Sequence, residues 1–272
     1  SDEFLSETRG TMIDRYTKNG ILEAADQKKL ARKKIAVIGC GGLGGYLIEM
    51  LGRLGLRHIN ACDGDVFSVS NLNRQLLATE DNLGTNKAKA AAIRMETVNS
   101  EVSVRAFAEY LTPENAARIF DGCDLVIDAL DSPQAKCMLE ELCEGFRLPL
   151  VHGAVEGWFG QVCTVMPGDW TLRSLYQNTN RGDQQEAEKT GNPSFTPAAV
   201  AALQVSEALK VLLDKEGILR NEVLFLDLYC GEFQKIKMKK EDMGKAQGSA
   251  ASLPERRNHG ACEISDSSHH LE

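Results

Sequence analysis

The sequence predicts an α/β fold: a Rossmann-like, doubly wound and mostly parallel sheet with helices on both faces, extended by antiparallel strands near the C-terminus. Three observations predict it. Short β-branched runs alternate with helical periodicity as far as His152, and a glycine-rich turn joins the first strand to the first helix. The chain has 272 residues, of which 43% are hydrophobic and 26% charged, so one large domain with appendages is expected.

The alternation begins with a buried strand at 33–39, a β-branched run that ends in glycine. A helix is predicted at 43–56, where leucines recur at helical spacing. The pattern then predicts a strand at 57–61, a helix at 85–98, a strand at 102–107, a helix at 113–120, a strand at 124–129, a helix at 133–146 and a strand at 150–152. Such alternation is typical of a parallel sheet covered on both faces.

The rhythm changes after Gly153. Strands of an extended or partly antiparallel sheet are predicted at 160–166, 223–228 and 233–238, and a long apolar helix at 198–213, with Pro197 at its start and Thr196 as a candidate cap. The polar segment 178–190 has no apolar period and is expected to be a mobile loop. From Gly244 onward the composition predicts a disordered tail.

Composition and charge exclude several classes of function. Lys and Arg number 31 against 39 Asp and Glu, and a net charge of −8 disfavours binding to nucleic acid. No long apolar run or signal-peptide core is present, so we expect a cytoplasmic protein that does not enter a membrane. The eight cysteines are then expected to be reduced thiols.

The glycine loop between the first strand and the first helix has the form Gly-x-Gly-x-x-Gly. Its glycines are Gly39, Gly41, Gly42 and Gly44. Glycines there bring backbone amides against phosphate oxygens at a helix N-terminus, and Asp63, about twenty residues further on, is placed to accept hydrogen bonds from ribose. The pattern predicts a nucleotide, and both NAD and ATP satisfy it.

The polar run after Asp63 favours a triphosphate. It ends in Arg74, and Lys87 follows at the start of the next predicted helix. Either cation alone could be a solvated surface charge, but two near one nucleotide suit ATP better than a dinucleotide. The strand at 124–129 leads into Asp128-Ala129-Leu130-Asp131, which places a carboxylate at the sheet edge as a plausible magnesium ligand.

These motifs together resemble the MoeB/ThiF/HesA family, which is related to the adenylation domains of ubiquitin-activating enzymes. The most specific is Ser-Asn-Leu-Asn-Arg-Gln at 70–75, and the resemblance covers about 15–239. It implies ATP-dependent adenylation of the C-terminal glycine of a small ubiquitin-like sulfur-carrier protein ending in Gly-Gly. By similarity Asp63 would hold ribose, Arg74 and Lys87 the phosphates, and Asp131 the Mg²⁺. Further nucleotide contacts are assigned to the glycine loop and to Asp65, Asn71 and Gln75.

Family members are usually homodimers in which a basic residue near the N-terminus reaches the neighbouring active site. Lys18 stands where an arginine is usual, and it is included among the catalytic candidates. The resemblance therefore divides the chain into an N-terminal helical segment at 1–32 that contacts the dimer partner, an adenylation domain at 33–240, and a tail at 241–272.

Two common family features are absent. The stretch 165–171 lacks the first Cys-x-x-Cys motif of a structural zinc site, and the tail supplies only Cys262 with His259, His269 and His270, so no structural zinc is predicted. No cysteine lies between Cys163 and Cys230, both in predicted strands. These two cysteines and those of the nucleotide fold are expected to be buried and inert, the latter being Cys40, Cys62, Cys123, Cys137 and Cys143. The enzyme is expected to stop at the acyl-adenylate.

Three alternatives remain open at this point. The glycine loop and Asp63 alone would suit an NAD-dependent oxidoreductase. The lysine at position 18 and the absent cysteines would suit a catalytically reduced adaptor with the same fold. A third is a relative that adenylates a small-molecule or RNA-linked carboxylate. The carrier's pathway, whether thiamine, molybdopterin, cysteine or another, stays open as well.

Overall fold

The eight-stranded sheet that organises the chain is seen in a computed structural model, which describes residues 15–176 and 191–238. Its strands are β1 (Lys34–Ile38), β2 (His58–Cys62), β3 (Ser103–Phe107), β4 (Leu125–Asp128), β5 (Leu150–Glu156), β6 (Phe159–Val165), β7 (Glu222–Asp227) and β8 (Glu232–Lys237). They lie in the order β3-β2-β1-β4-β5-β6-β7-β8.

Seven α-helices accompany the sheet in the described residues: α1 (Ala24–Leu30), α2 (Gly44–Leu54), α3 (Lys87–Val98), α4 (Pro113–Ile119), α5 (Pro133–Phe146), α6 (Thr171–Tyr176) and α7 (Phe195–Leu212). Short 3₁₀ turns lie at Val69–Asn71 and Glu80–Asn82. Pro133 opens α5 next to the N-cap Ser132, whose hydroxyl accepts the amide of Ala135 at 3.3 Å.

The sheet is parallel from β3 to β5 and antiparallel from β5 to β8. Val37 on β1 pairs with Ala61 on β2 and with Ile127 on β4. The antiparallel half continues through hairpins, in which His152 faces Cys163. This arrangement confirms the predicted fold class. The loops after β1, β2 and β4 consequently emerge side by side at one edge of the sheet, where ligands bind in such folds.

Apolar side chains cover both faces of the sheet. Ile35 and Val37 of β1 belong to the cluster formed with α2, α3 and α7, whereas Ala36 and Ile38 belong to the cluster formed with α4 and α5. Because successive side chains of a strand point to opposite faces, a strand covered on both sides needs a continuous apolar run. The sequence Ile-Ala-Val-Ile supplies that run.

Several element boundaries differ from the sequence prediction. Helix α7 begins at Phe195 with Ser194 as its N-cap, so the assignment of Thr196 as the cap was wrong. The Thr196 hydroxyl instead donates to the carbonyl oxygen of Gly157 at 2.6 Å. Cys230 lies in the exposed turn between β7 and β8, not in a strand and not buried. The predicted mobile loop at 178–190 and the predicted tail lie outside the described residues.

Helix α7 is the one described helix whose length and mean hydropathy of 1.2 would allow it to cross a membrane. It packs on α2, β5 and β6, and half of it is buried inside the protein. The core helix of a folded domain has these properties.

Candidate active site

The glycine loop after β1 is shaped by two close backbone approaches. Gly39 has φ +94°, and a Cβ there would lie 2.5 Å from the carbonyl oxygen of Ala129. A Cβ on Gly44 would overlap the carbonyl oxygen of Gly39. The amide of Gly45 donates to the carbonyl oxygen of Gly41, in the glycine loop, at 3.2 Å. Amides earlier in the first turn have no acceptor inside α2 and are available to an anion at its N-terminal end.

The loop after β2 is joined to the glycine loop by Asp63. Its Oδ2 accepts the amide of Cys40 at 2.7 Å and its Oδ1 accepts the amide of Asp65 at 2.8 Å. Burial raises the pKa of the Asp63 carboxyl, while the two amides act in the opposite direction. Each oxygen retains a second lone pair, so the carboxylate can still accept hydrogen bonds from a ribose.

Lys87 reaches the same place from the start of α3. Its Nζ lies 3.0 Å from Asp65 Oδ2, and the Tyr110 hydroxyl donates to the other oxygen of Asp65. These two partners, Tyr110 first and Lys87 second, lower the pKa of Asp65. Asn86, the N-cap of α3, holds this loop by donating to the carbonyl oxygens of Asp63 and Asp65 at 2.8 and 3.0 Å. Tyr110 was not identified from the sequence.

Arg74 and Gln75 follow the 3₁₀ turn at Val69–Asn71. The Arg74 Nη1 donates to Ser70 O and to Asn73 Oδ1, each at 2.9 Å, so the loop itself holds the guanidinium. Asn71 is buried and stabilises the turn by accepting the Ser68 amide at 3.0 Å. Asn71 therefore stabilises the loop that carries Arg74 and Gln75, and its contact with a nucleotide stays a prediction.

The Gln75 side chain packs against the glycine loop. It is 7% exposed, and its Nε2 lies 3.3 Å from the position of a Cβ on Gly41. Within the described part of the chain, the buried Gln75 Oε1 has no hydrogen-bond partner. A buried polar atom without a partner costs free energy, so its place beside the loop indicates a site that a polar ligand completes.

The turn after β4 brings Asp131 to the same edge. The amide of Ala129 donates to Ile38 O at 2.9 Å, which joins this turn to the end of β1. Asp131 is exposed. The hydrogen bond to Asp65 raises the pKa of Tyr110 most, and the charges of Asp65, Asp63 and Asp131 raise it further. Asp128 is instead fully buried and paired with Lys136 and His152, so it is not available as a metal ligand.

Lys18 lies away from these residues. The neighbouring Tyr16 packs at Gly55, beyond the C-terminal end of α2, and Asn19 contacts Leu54. The glycine loop is at the opposite end of α2, a helix of 11 residues and so roughly 16 Å long. Lys18 is therefore not assembled with Arg74, Lys87 and Asp131 inside one chain.

The cysteine in the glycine loop does not have the properties of a nucleophile. Cys40 is fully buried, and burial together with the charge of Asp63 raises the pKa of its thiol well above the ordinary value. Reactive thiols need a lowered pKa and access to solvent. Among the described residues no group of three or more His, Cys, Asp or Glu side chains is arranged to hold a metal ion.

Comparison with known proteins identifies the family. The model of the ThiF family matches residues 14–246. This chain belongs to the ThiF family. The resemblance inferred from the sequence motifs is thereby confirmed.

Relatives of this ThiF-family chain are named as activating enzymes or adenylyltransferases. The SAMP-activating enzyme E1 of Haloferax volcanii is 32% identical over 230 residues, which cover 83% of this chain and 85% of that protein. The sulfur carrier protein adenylyltransferase of Thermus thermophilus is 32% identical over 238 residues, covering 84% and 88%. Adenylyltransferase and sulfurtransferase MOCS3 of Culex quinquefasciatus is 31% identical over 238 residues, which cover 84% of this chain and 53% of that protein. The adenylyltransferase class predicted from the sequence agrees with these names.

A solved structure of Escherichia coli MccB with ATP shares the fold of this ThiF-family chain. The TM-score is 0.71 at 20% identity, and the match covers 85% of this chain and 72% of that one. At this identity the likeness concerns the fold alone.

Proposed function

We propose that this ThiF-family protein is an ATP-dependent adenylyltransferase. Its substrate would be the C-terminal glycine carboxylate of a small ubiquitin-like sulfur carrier ending in Gly-Gly, and its products an acyl-adenylate and pyrophosphate. The observation that supports this most directly is the meeting of three loops at one sheet edge: Cys40 N with Asp63, Gln75 with Gly41, and Ala129 with Gly39. We infer that these contacts bring Lys87, Arg74 and Asp131 to that edge.

The reaction brings two anions together, the carrier carboxylate and the phosphates of ATP. Cations at this edge of the sheet can offset the repulsion between them. A carboxylate oxygen of the carrier attacks the α-phosphorus, the bond from that phosphorus to the β-phosphate oxygen breaks, and pyrophosphate leaves. Two unit charges about 4 Å apart interact by about 4 kcal/mol at an effective dielectric near 20. Arg74 and Lys87 would neutralise the phosphates where charge moves to the leaving group.

No general base is needed in this reaction. A C-terminal carboxyl group has an ordinary pKa of about 3.5 and is ionised at neutral pH. The nucleophile therefore arrives already deprotonated, and a catalytic histidine is not required. Neither is a cysteine for the adenylation step, which agrees with the raised pKa of Cys40.

Mg²⁺ suits the residues at this edge of the sheet. It usually takes one or two carboxylates and completes its octahedral shell with substrate phosphates and water, so an all-protein cage is unnecessary. The exposed carboxylate of Asp131 fits that role, and Asp65 is already engaged by Lys87 and Tyr110. When bound, Mg²⁺ would neutralise phosphate charge.

We propose that the active form is a homodimer in which Lys18 acts on the partner's ATP. The position of Lys18 beyond the C-terminal end of its own α2 supports a role in trans. Mixing Lys18→Ala protein with Asp131→Ala protein tests this. Mixed dimers would contain one site with both residues intact, so pyrophosphate exchange should recover to about a quarter of the wild-type rate. Exchange that stays at the level of the separate variants would contradict the proposal.

The proposed function also bears on the domain bounds and on the cellular compartment. We assign adenylation to residues 33–240, with 1–32 in dimer contact, and place the reaction in the cytoplasm. The net charge of −8 supports a protein partner over nucleic acid.

Intact mass spectrometry tests the proposed function. The protein is mixed with MgATP and a sulfur carrier ending in Gly-Gly, and the carrier is expected to gain an adenylyl group. A carrier without its last glycine serves as the control and should stay unmodified. NAD binding by calorimetry with no ATP binding would favour the oxidoreductase alternative. ATP binding without any adduct on all carriers tried would favour the adaptor.

A further inference from the structure

A buried polar cluster lies directly behind the turn that places Asp131. At its centre is the carboxylate of Asp128, at the end of β4 and fully buried. Its Oδ2 accepts hydrogen bonds from Lys136 Nζ at 2.9 Å and from His152 Nδ1 at 2.6 Å, while its Oδ1 accepts the amide of Leu130 at 2.9 Å. Lys136, which is 2% exposed, also donates to Gly153 O at 2.9 Å.

Five elements of secondary structure meet at this cluster. Asp128 comes from β4, Lys136 from α5 and His152 from β5. The Tyr176 hydroxyl of α6 lies 3.1 Å from His152 Nε2, and Gln204 of α7 donates to the backbone carbonyl of Asp128 at 2.8 Å. Polar partners thus hold both the side chain and the backbone of Asp128.

Such a buried ion pair is not needed for stability alone. Taking a carboxylate and an ammonium out of water costs several kcal/mol for each ion, and apolar residues of similar volume are often equally stable in such places. The geometry indicates that the ion pair fixes the conformation of the surrounding chain. A buried carboxylate whose two oxygens are both hydrogen-bonded permits one arrangement of the chain around it, whereas apolar packing tolerates several.

The arrangement it fixes is the turn from Asp128 to Asp131. The bond from Leu130 N to Asp128 Oδ1 sets the first step of the turn, and the carbonyl oxygen of Ala129 lies against Gly39 of the glycine loop. Asp131 follows Ala129 by two positions in the chain. A shift of Asp128 would therefore move Asp131 relative to the loop that is proposed to hold the phosphates.

We propose that Lys136, acting through Asp128, is a positioning residue that holds Asp131 at the place beside the glycine loop from which its carboxylate would ligate Mg²⁺. Lys136 does not touch the nucleotide. This inference rests on the proposed function for its catalytic consequence, but the coupling of Mg²⁺ to ATP binding measures it without turnover.

The test compares Lys136→Met, Lys136→Arg and the control Lys33→Met. Lys33 also pairs with an aspartate of the β4 segment, Asp124, at 2.8 Å, but at the opposite edge of the sheet. Calorimetry would measure the ratio of ATP affinities with and without Mg²⁺. Lys136→Met should reduce this ratio by about 10–100-fold, because substituting a residue that supports a metal ligand commonly lowers metal affinity by that factor. Lys136→Arg should recover most of it, and Lys33→Met should leave it unchanged.

A second variant covers the case in which Lys136→Met does not fold. Gln204→Met removes the donor to the Asp128 carbonyl without leaving a buried charge, and it should reduce the same ratio in the same direction. Wild-type ratios in the folded Lys136→Met protein, or in Gln204→Met if Lys136→Met does not fold, would overturn the proposal. If the wild-type protein binds MgATP but adenylates no carrier, the proposed function fails while this measurement remains valid.

Discussion

The ammonium group of Lys87 lies 3.0 Å from the carboxylate of Asp65, and the lysine residue is only 7% exposed. A lysine on a flexible four-carbon stem normally loses about 2 kcal/mol of side-chain entropy when it is fixed. Here the pair with Asp65 fixes it before ATP arrives. The cation proposed to hold the phosphates is therefore preorganised at the N-terminus of α3.

Replacing Lys87 with methionine removes the charge and keeps most of the volume. Pyrophosphate exchange should fall by at least about 10²-fold, which corresponds to roughly 2.7 kcal/mol of barrier. Lys89→Met is the matched control, because Lys89 lies on the same helix and is exposed. Exchange assays on both purified variants check this. Equal loss in the two would show that general charge, and not the position of Lys87, matters.

Arg74→Ala and Asp131→Ala should each lower exchange by at least about 10²-fold, since each removes a charge placed against the triphosphate. Arg32→Ala and Asp81→Ala, at exposed positions, are the controls and should keep the wild-type rate. Thermal unfolding of all four should stay within a few degrees of the wild type. Wild-type exchange in the Arg74 or the Asp131 variant would remove that residue from the site.

Local motifs made much of this site predictable from the sequence. The glycine loop and Asp63 have a fixed spacing because one turn and one strand separate them, and the bond from Cys40 N to Asp63 realises it. The strands from β1 to β5 were predictable because short runs with apolar residues alternate there with segments of helical periodicity. Their boundaries moved by only a residue or two, apart from β5, which runs on to Glu156.

The buried cluster could not be predicted in this way. Lys136 stands on an ordinary amphipathic helix and His152 in an apolar strand, and neither has a neighbour in sequence that signals a pairing. They meet Asp128 only because β4 and β5 are adjacent and α5 crosses between them. Tyr110 was missed for a similar reason, because it reaches Asp65 from the loop after β3.

The glycine loop offers a prediction about steric fit. Gly44→Ala places a methyl group onto the carbonyl oxygen of Gly39, so the loop must shift and ATP binding should be lost. Gly145→Ala is the control, because a Cβ there meets nothing within 4 Å and the site lies within α5. The control should raise stability by up to about 1 kcal/mol, the usual difference between glycine and alanine inside a helix. Calorimetry with ATP and chemical denaturation check both; unaltered ATP binding in Gly44→Ala would refute the prediction.

The buried cluster predicts an unusual pH dependence for Lys136→Met. In the wild-type protein burial lowers the pKa of His152, and Lys136 lowers the pKa of Asp128, so the cluster holds one carboxylate, one ammonium and a neutral imidazole. The stability contributed by the neutral imidazole is present above the unfolded pKa of about 6.5 and is lost as pH falls below it.

Without Lys136, the carboxylate of Asp128 would have His152 as its remaining counter-ion, and the pKa of His152 should rise above 6.5. The ionisable groups around that imidazole are then Asp128 on β4, Tyr176 on α6 and Cys163 on β6. A raised pKa stabilises the fold below the unfolded pKa, and this stability is lost as pH rises through the folded pKa. Lys136→Met should therefore lower the free energy of unfolding by about 3–5 kcal/mol at about pH 7.5 and by clearly less at about pH 5.5.

Urea unfolding at both pH values measures the difference. Lys136→Arg keeps the charge and should follow the wild-type curve; a Lys136→Met penalty that does not change with pH would mean that His152 takes up no proton.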